Sequence, residues 1–296
     1  GVKKKFFLFF KIKCILYVTG RREDGRHELV SLLVCIDLFD EIRLEFLDRE
    51  TICVSCRHPS VPEDDSNLAA MAAALFYKRW RPQGKRGGVR IEIEKHIPVG
   101  AGLGGGSSNA ATVLSGLNEA SGRPFPLEEL MEMGASLGAD VPFFLLESPA
   151  LATGDGTALE KVDVDLPARV IVFYPGIAVS TGRVYKNVDL NLTKNRKIDI
   201  EPLLDIDWKD GRADVMDFLG NDLERAACAV YPELEAARKR LELAMPVPVY
   251  MTGSGSCFFA LFSDPNQAEE AFARFCEIGK TDNDSVYLAS VIRQTA

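Results

Sequence analysis

The segment Pro98-Val99-Gly100-Ala101-Gly102-Leu103-Gly104-Gly105-Gly106-Ser107-Ser108 decides how the rest of this chain is read. Five glycines fall within seven positions, from Gly100 to Gly106. Val89, Ile91 and Ile93 alternate just before the segment, and Ala110, Val113, Leu114 and Leu117 follow it at helical spacing. The order is therefore strand, glycine loop, helix. Glycines leave backbone N–H groups free to converge on an anion, and the helix start adds its partial positive charge. Ser107 and Ser108 bring hydroxyls to the helix start, suited to phosphate or to Mg2+. No Lys follows the glycines, which excludes a Walker A loop. No acidic residue ends a second strand at the distance a dinucleotide fold requires. The expectation is a cradle for ATP phosphates in a small-molecule kinase.

Working outward, residues 14–18, 29–37 and 41–47 read as strands, joined after the first by the polar loop 19–25. Leu68, Met71, Ala72, Leu75 and Phe76 share a helical face, with Ser66 as the expected N-cap. A helix is expected over 127–137, stopping near Gly138. The second half reads as strand 168–174, helix 232–243, strands 247–251 and 257–262, helix 266–277 and strand 285–292. Such alternation predicts an α+β chain. The domains are expected at 1–160 and 161–296. The run Lys3-Lys4-Lys5-Phe6-Phe7-Leu8-Phe9-Phe10 reads as a strand, with a secretory start as the alternative. It is too short to span a membrane, which takes about 20 apolar residues.

Composition narrows the function classes. The 296 residues are 47% hydrophobic and 26% charged, and the net charge is −8. That balance is globular and argues against a broad basic face for nucleic acid. The seven cysteines are odd in number and several lie inside apolar runs, so reduced thiols in a cytoplasmic protein are expected. Cys53 and Cys56 read as strand residues, because no second ligand pair follows at zinc spacing.

Four further segments carry polar groups in suggestive places. Asp140, in Leu137-Gly138-Ala139-Asp140-Val141-Pro142, stands between a helix end and an apolar run, where it could take a proton from a substrate hydroxyl. Thr252-Gly253-Ser254-Gly255-Ser256 is a second glycine loop, able to pack against the first and close over phosphates or substrate. Asp24-Gly25-Arg26-His27 sets a histidine after a tight turn, and Lys11 and Lys13 interrupt an apolar strand, so at least one is expected in a polar site.

Together these segments resemble the GHMP kinase superfamily, whose phosphate loop has the form P-x-x-x-G-L-G-[GS]-[GS]-S-S. Within it, Thr19-Gly20-Arg21-Arg22-Glu23-Asp24-Gly25-Arg26-His27-Glu28-Leu29 and Gly220-Asn221-Asp222-Leu223-Glu224 are similar to the branch acting on a cytidine diphosphate conjugate of methylerythritol. The resemblance implies a ribosomal-protein-S5-like N-terminal domain and a ferredoxin-like C-terminal domain. It implies ATP-dependent phosphorylation of the C2 hydroxyl of that conjugate, in non-mevalonate isoprenoid biosynthesis, with Mg2+. Homoserine, mevalonate or a sugar is the alternative acceptor, and a catalytically impaired nucleotide-binding homologue is another alternative.

Residue by residue, the resemblance makes Asp140 the base and Lys11 the cation that keeps it ionised. Residues 98–108 would hold the phosphates, with Asn67 and Lys95 flanking the nucleotide. His27 would recognise cytosine, and Thr181, Gly253 and Ser254 would lie near the acceptor. Two positions depart from the family pattern: Lys13 stands where Asn is expected, and Arg26 where a stacking Tyr is expected. An arginine can also stack on a base face.

Overall fold

Two long strands set the frame of the computed structural model, which describes residues 3–80, 87–188, 201–206 and 213–292. Strand β1 spans Lys3–Arg21 and β2 spans His27–Leu47. The apolar and cationic N-terminal run is thus continuous with the segment expected at 14–18. The two strands expected at 29–37 and 41–47 are one strand: burial still alternates from Ile36 to Ile42, although the charged Asp40 takes one of the inward positions. The chain divides into two units, and both long strands pass from one to the other.

One unit comprises residues 1–10, 38–99 and 104–147. In it β4 (Gly88–Glu94) lies between the C-terminal part of β2, antiparallel, and β3 (Ile52–Cys56), parallel. Leu44 faces Ile91 across the first ladder, and Val54 faces Ile91 across the second. Helices α1 (Leu68–Trp80), α2 (Gly105–Ala120), α3 (Leu127–Leu137) and α4 (Val141–Leu146) belong to the same unit. Its core joins Leu8, Ile42, Leu44 and Ile91 to Phe76, Val113, Leu117, Met133 and Val141. Each large side chain buried this fully contributes about 1.5–3 kcal/mol.

The start of α1 corrects one expectation. Asn67, not Ser66, is its cap: Asn67 Oδ1 accepts from the Ala69 N–H at 2.9 Å, and its Nδ2 donates to the Pro62 carbonyl at 2.7 Å. The Ser66 hydroxyl donates instead to Asp64 at 2.5 Å, within the preceding turn. Both residues are good caps by type, and position relative to the buried helix face chooses between them.

The other unit comprises residues 11–37, 100–103 and 148–296. Here β5 (Ala150–Thr153) pairs with β2 and with β6 (Ala158–Lys161). Strand β7 (Arg169–Tyr174) is followed by α5 (Thr181–Lys186), β8 (Gly220–Asn221), α6 (Leu223–Val230) and α7 (Glu233–Ala244). Then come β9 (Tyr250–Met251), β10 (Phe258–Phe262), α8 (Pro265–Ile278) and β11 (Ser285–Ile292). β7 runs antiparallel between β10 and β11, which makes β10, α8 and β11 a split βαβ unit. Leu16, Phe173, Leu241, Phe258 and Phe275 centre the core, as the alternating apolar pattern of these segments requires.

Candidate functional site

The glycine loop has the backbone its sequence demands. Gly100, Gly102 and Gly104 take φ values of 79°, 76° and 84°, in the left-handed region that side chains disfavour. Gly104 is the N-cap of α2, and its carbonyl already accepts from the Ser108 N–H at 2.8 Å. The first turn of α2 therefore begins directly at Gly105, with N–H groups available to an anion.

In the first unit, the residues around that turn are tightly engaged. Ser108 is buried, and its hydroxyl donates to the Phe9 carbonyl at 2.9 Å, whereas Ser107 is only half-buried. Lys95 forms an ion pair with the fully buried Asp40, whose other oxygen accepts from the His96 N–H at 2.8 Å. The Lys95 ammonium also lies 5.3 Å from the centre of the Phe10 ring. Beside Lys95 opens a cavity of about 520 Å3, lined by Arg43, Cys56, Arg57, His58 and Glu63 among others. Asn67 holds the 62–67 turn, whose Glu63 lines this cavity, through its hydrogen bond to the Pro62 carbonyl. Asp140 is the half-buried N-cap residue of α4, between two packed helices. A methyl at Gly134 of α3 would come 3.0 Å from a side-chain carbon of Val141 of α4, so a larger residue there would push the Val141 side chain aside.

In the second unit, several predicted residues come together. Lys11 is buried in β1, and its N–H donates to the Leu103 carbonyl at 3.2 Å. The Lys13 N–H donates to Thr252 Oγ1 at 2.7 Å. The two glycine loops meet here, with Gly102 backed directly against the Gly255 carbonyl. Thr181, at the start of α5, shares a 2.8 Å hydrogen bond with Ser254. Gly253 supplies the left-handed turn before that serine, at φ 61°.

His27 and Arg26 part company. The Arg26 guanidinium is held by Asp24 at 2.7 Å and by Asp155. Its hydrogen bond drives the Asp24 carboxyl down to about 2. The His27 ring instead lies 5.4 Å from the ring of Tyr185, inclined by 36°. Burial first, and then the charge of Arg21, hold this imidazole below its ordinary range, so the ring is neutral near pH 7. A neutral imidazole offers one donor and one acceptor.

Sequence reasoning missed Tyr185, Asn109 and the cavity beside Lys95. Tyr185 lies four residues after Thr181, one turn along the same helix, and that spacing was the available signal. Asn109, in the first turns of α2, has a buried Oδ1 without a hydrogen-bond partner among the described residues. Nothing local in the sequence marks the cavity, whose walls come from three separate segments.

Comparison with known proteins fits this geometry. Residues 67–148 match the GHMP kinase N-terminal domain, and residues 200–281 match the GHMP kinase C-terminal domain. A 4-diphosphocytidyl-2-C-methyl-D-erythritol kinase of Syntrophotalea carbinolica is 41% identical over 88% of this chain and 90% of its own length. Its counterpart in Geobacter sp. strain M21 is 43% identical over 92% of each chain. A crystal structure of a 4-(cytidine 5'-diphospho)-2C-methyl-D-erythritol kinase aligns with a TM-score of 0.78 at 33% identity, covering 97% of this chain and 99% of that one. Homoserine kinase from Cytophaga hutchinsonii shares the fold, with a TM-score of 0.71 at 17% identity over 99% of this chain and 96% of its own. No helix among the described residues is long and apolar enough to cross a membrane.

Proposed function

The chain belongs to the GHMP kinases, in the branch of the 4-diphosphocytidyl-2-C-methyl-D-erythritol kinases, and from that premise we propose how its residues divide the work of phosphorylating that cytidyl alcohol at the C2 hydroxyl. It is an ATP-dependent small-molecule kinase. The observation that carries the proposal is the run of left-handed glycines delivering the bare first turn of α2.

The ATP phosphates lie on residues 98–108, and the nucleoside takes the cavity beside Lys95. Asn67 contributes by fixing the turn that walls the cavity, since its carboxamide is already engaged. Bound with ATP, Mg2+ neutralises charge on the phosphates. Magnesium prefers oxygen ligands and keeps several waters. The Ser107 hydroxyl would suit the ion or one of its waters, and the buried Asn109 Oδ1, without a hydrogen-bond partner among the described residues, would offer a further oxygen. Ser108 is assigned to the fold, its hydroxyl held by Phe9.

Asp140 takes the proton of the C2 hydroxyl as that oxygen bonds to the γ-phosphorus. The bond to the bridging oxygen breaks, and ADP leaves. Lys11 supplies positive charge that keeps the base ionised and stabilises the transferring group. At the far end of the acceptor, His27 hydrogen-bonds the cytosine edge. Tyr185 offers the stacking face, and Arg26 anchors its loop through Asp24 and Asp155. Thr181, Gly253 and Ser254 border the acceptor between these ends. Lys13, half-buried on β1, borders the acceptor, its backbone N–H committed to Thr252.

The deciding experiment is a coupled ADP-release assay on the cytidyl alcohol, homoserine, mevalonate and a sugar panel, with Asp140→Asn alongside. Turnover of the cytidyl alcohol alone is expected. Losing a positioned proton acceptor should lower kcat by about 100- to 10,000-fold, with nucleotide affinity retained. Rejection of the cytidyl alcohol by the wild-type protein, or normal turnover by Asp140→Asn, sinks the corresponding assignment.

A further inference from the structure

One edge of β1 carries three attachments in succession. The Lys11 N–H holds the Leu103 carbonyl, and the Lys13 N–H holds the Thr252 hydroxyl. Farther along, β8 runs parallel to the strand, with Ile15 beside Gly220 and Leu16 beside Asn221. The phosphate loop, the second glycine loop and Asn221 are therefore arrayed along a single strand of one unit.

Asn221 commits its whole carboxamide to this array. Its Nδ2 donates to the Met251 carbonyl and to the Gly253 carbonyl, each at 2.7 Å. Its Oδ1 accepts from the Leu223 N–H at 2.9 Å, at the start of α6. Two donors and an acceptor within so short a side chain belong to asparagine alone. The two carbonyls flank Thr252, whose hydroxyl receives Lys13. Two residues beyond Gly253, the Gly255 carbonyl presses against Gly102. Asn221 thus holds the turn that shapes the surface on which residues 100–103 rest.

We propose that Asn221 is a positioning residue for the nucleotide, fixing the turn at 251–253 and through it the seat of the phosphate loop. The proposal deepens the assignment of residues 98–108 to ATP and rests on it. Asn221 touches no reacting atom. Its effect is to keep the loop in its binding shape before ATP arrives, so that binding does not have to order it.

Asn221→Ala removes both donors without adding charge. The measurement is the Kd of the non-hydrolysable analogue adenylyl imidodiphosphate with Mg2+, by calorimetry on the full chain, well below the unfolding temperature. A weakening of about tenfold is expected, equivalent to roughly 1.4 kcal/mol. Thr252→Val, which takes the acceptor from the Lys13 N–H, should weaken binding in the same direction, and it decides the matter alone if Asn221→Ala does not fold. Leu241→Ala, which opens a cavity in the core of the same unit, serves as the comparison: thermal stability falls and nucleotide affinity stays within about twofold.

Unchanged affinity in the folded variants overturns the proposal, and so does an equal weakening in Leu241→Ala. The readout is binding rather than turnover, so a mistaken acceptor leaves the test intact. Failure of the wild-type chain to bind the analogue at all would instead overturn the assignment of the loop to ATP.

Discussion

A methyl group on the Cα of Gly102 would stand 2.7 Å from the carbonyl oxygen of Gly255. Only a hydrogen atom fits that gap, and Gly102 also holds a φ of 76°. The left-handed backbone alone costs an alanine about 1–2 kcal/mol, and the clash adds to it. Gly102→Ala should therefore lose more than about tenfold in ATP affinity while the rest of the chain stays folded. Calorimetric titration checks this, and wild-type affinity in the variant would mean that the loops need not touch.

Asp40 and Lys95 form a buried ion pair, with side-chain exposures of 0% and 7%. Removing one partner leaves the other charge stranded, at a cost of about 3–5 kcal/mol. Asp40→Ala should show this loss in urea denaturation. Replacing both, as Asp40→Asn with Lys95→Met, should recover part of the stability, because no charge is left stranded and the amide oxygen still accepts from the His96 and Ile97 N–H groups. It should not recover nucleotide affinity if Lys95 flanks the nucleotide.

His27 sets a pH dependence of defined sign. Its folded pKa lies below the ordinary value of 6.5, through burial and Arg21. As pH falls through that value the unfolded chain takes up a proton that the folded chain resists, so folding stability drops. Thermal melts between pH 8 and pH 5 should show this, and His27→Gln should flatten that part of the curve. The KM for the cytidyl alcohol should stay level near neutrality and rise at lower pH, where the imidazolium loses its acceptor nitrogen.

The cysteines should divide by exposure under a thiol reagent. Cys53 and Cys276 are exposed, whereas Cys14 and Cys257 are buried and their thiols are pushed far up by desolvation. Cys228 is half-buried and pushed up to about 11, which leaves little thiolate near neutrality. Native protein should therefore release two equivalents of thionitrobenzoate quickly, from the two exposed thiols, and seven after denaturation. A fast third equivalent would point to local opening around Cys228.

Much of the fold was readable along the chain. The helix at 127–137 and the strand at 285–292 lie where periodicity puts them, because apolar residues repeat at the spacing of a buried face. Periodicity was weaker on β2, where Asp37 and Asp40 interrupt the pattern and one strand reads as two. Asp40 is buried all the same, since Lys95 and two backbone N–H groups satisfy it. Ser66 and Asn67 were likewise interchangeable by residue type, and the docking of α1 chose the second.

Residue type and spacing by themselves determined the strand, glycine loop and helix at the phosphate site. The left-handed backbone, the lack of side chains and the helix terminus are all local properties, written within about ten consecutive positions. Only the tertiary structure decided what backs that loop and what meets the acceptor. Gly255 lies behind Gly102, Tyr185 beside His27, and Asn221 holds a turn 30 and 32 residues away. Those pairings depend on hydrogen bonds and ring contacts between distant segments. No periodicity records such contacts, and they exist only once the strands have set their register.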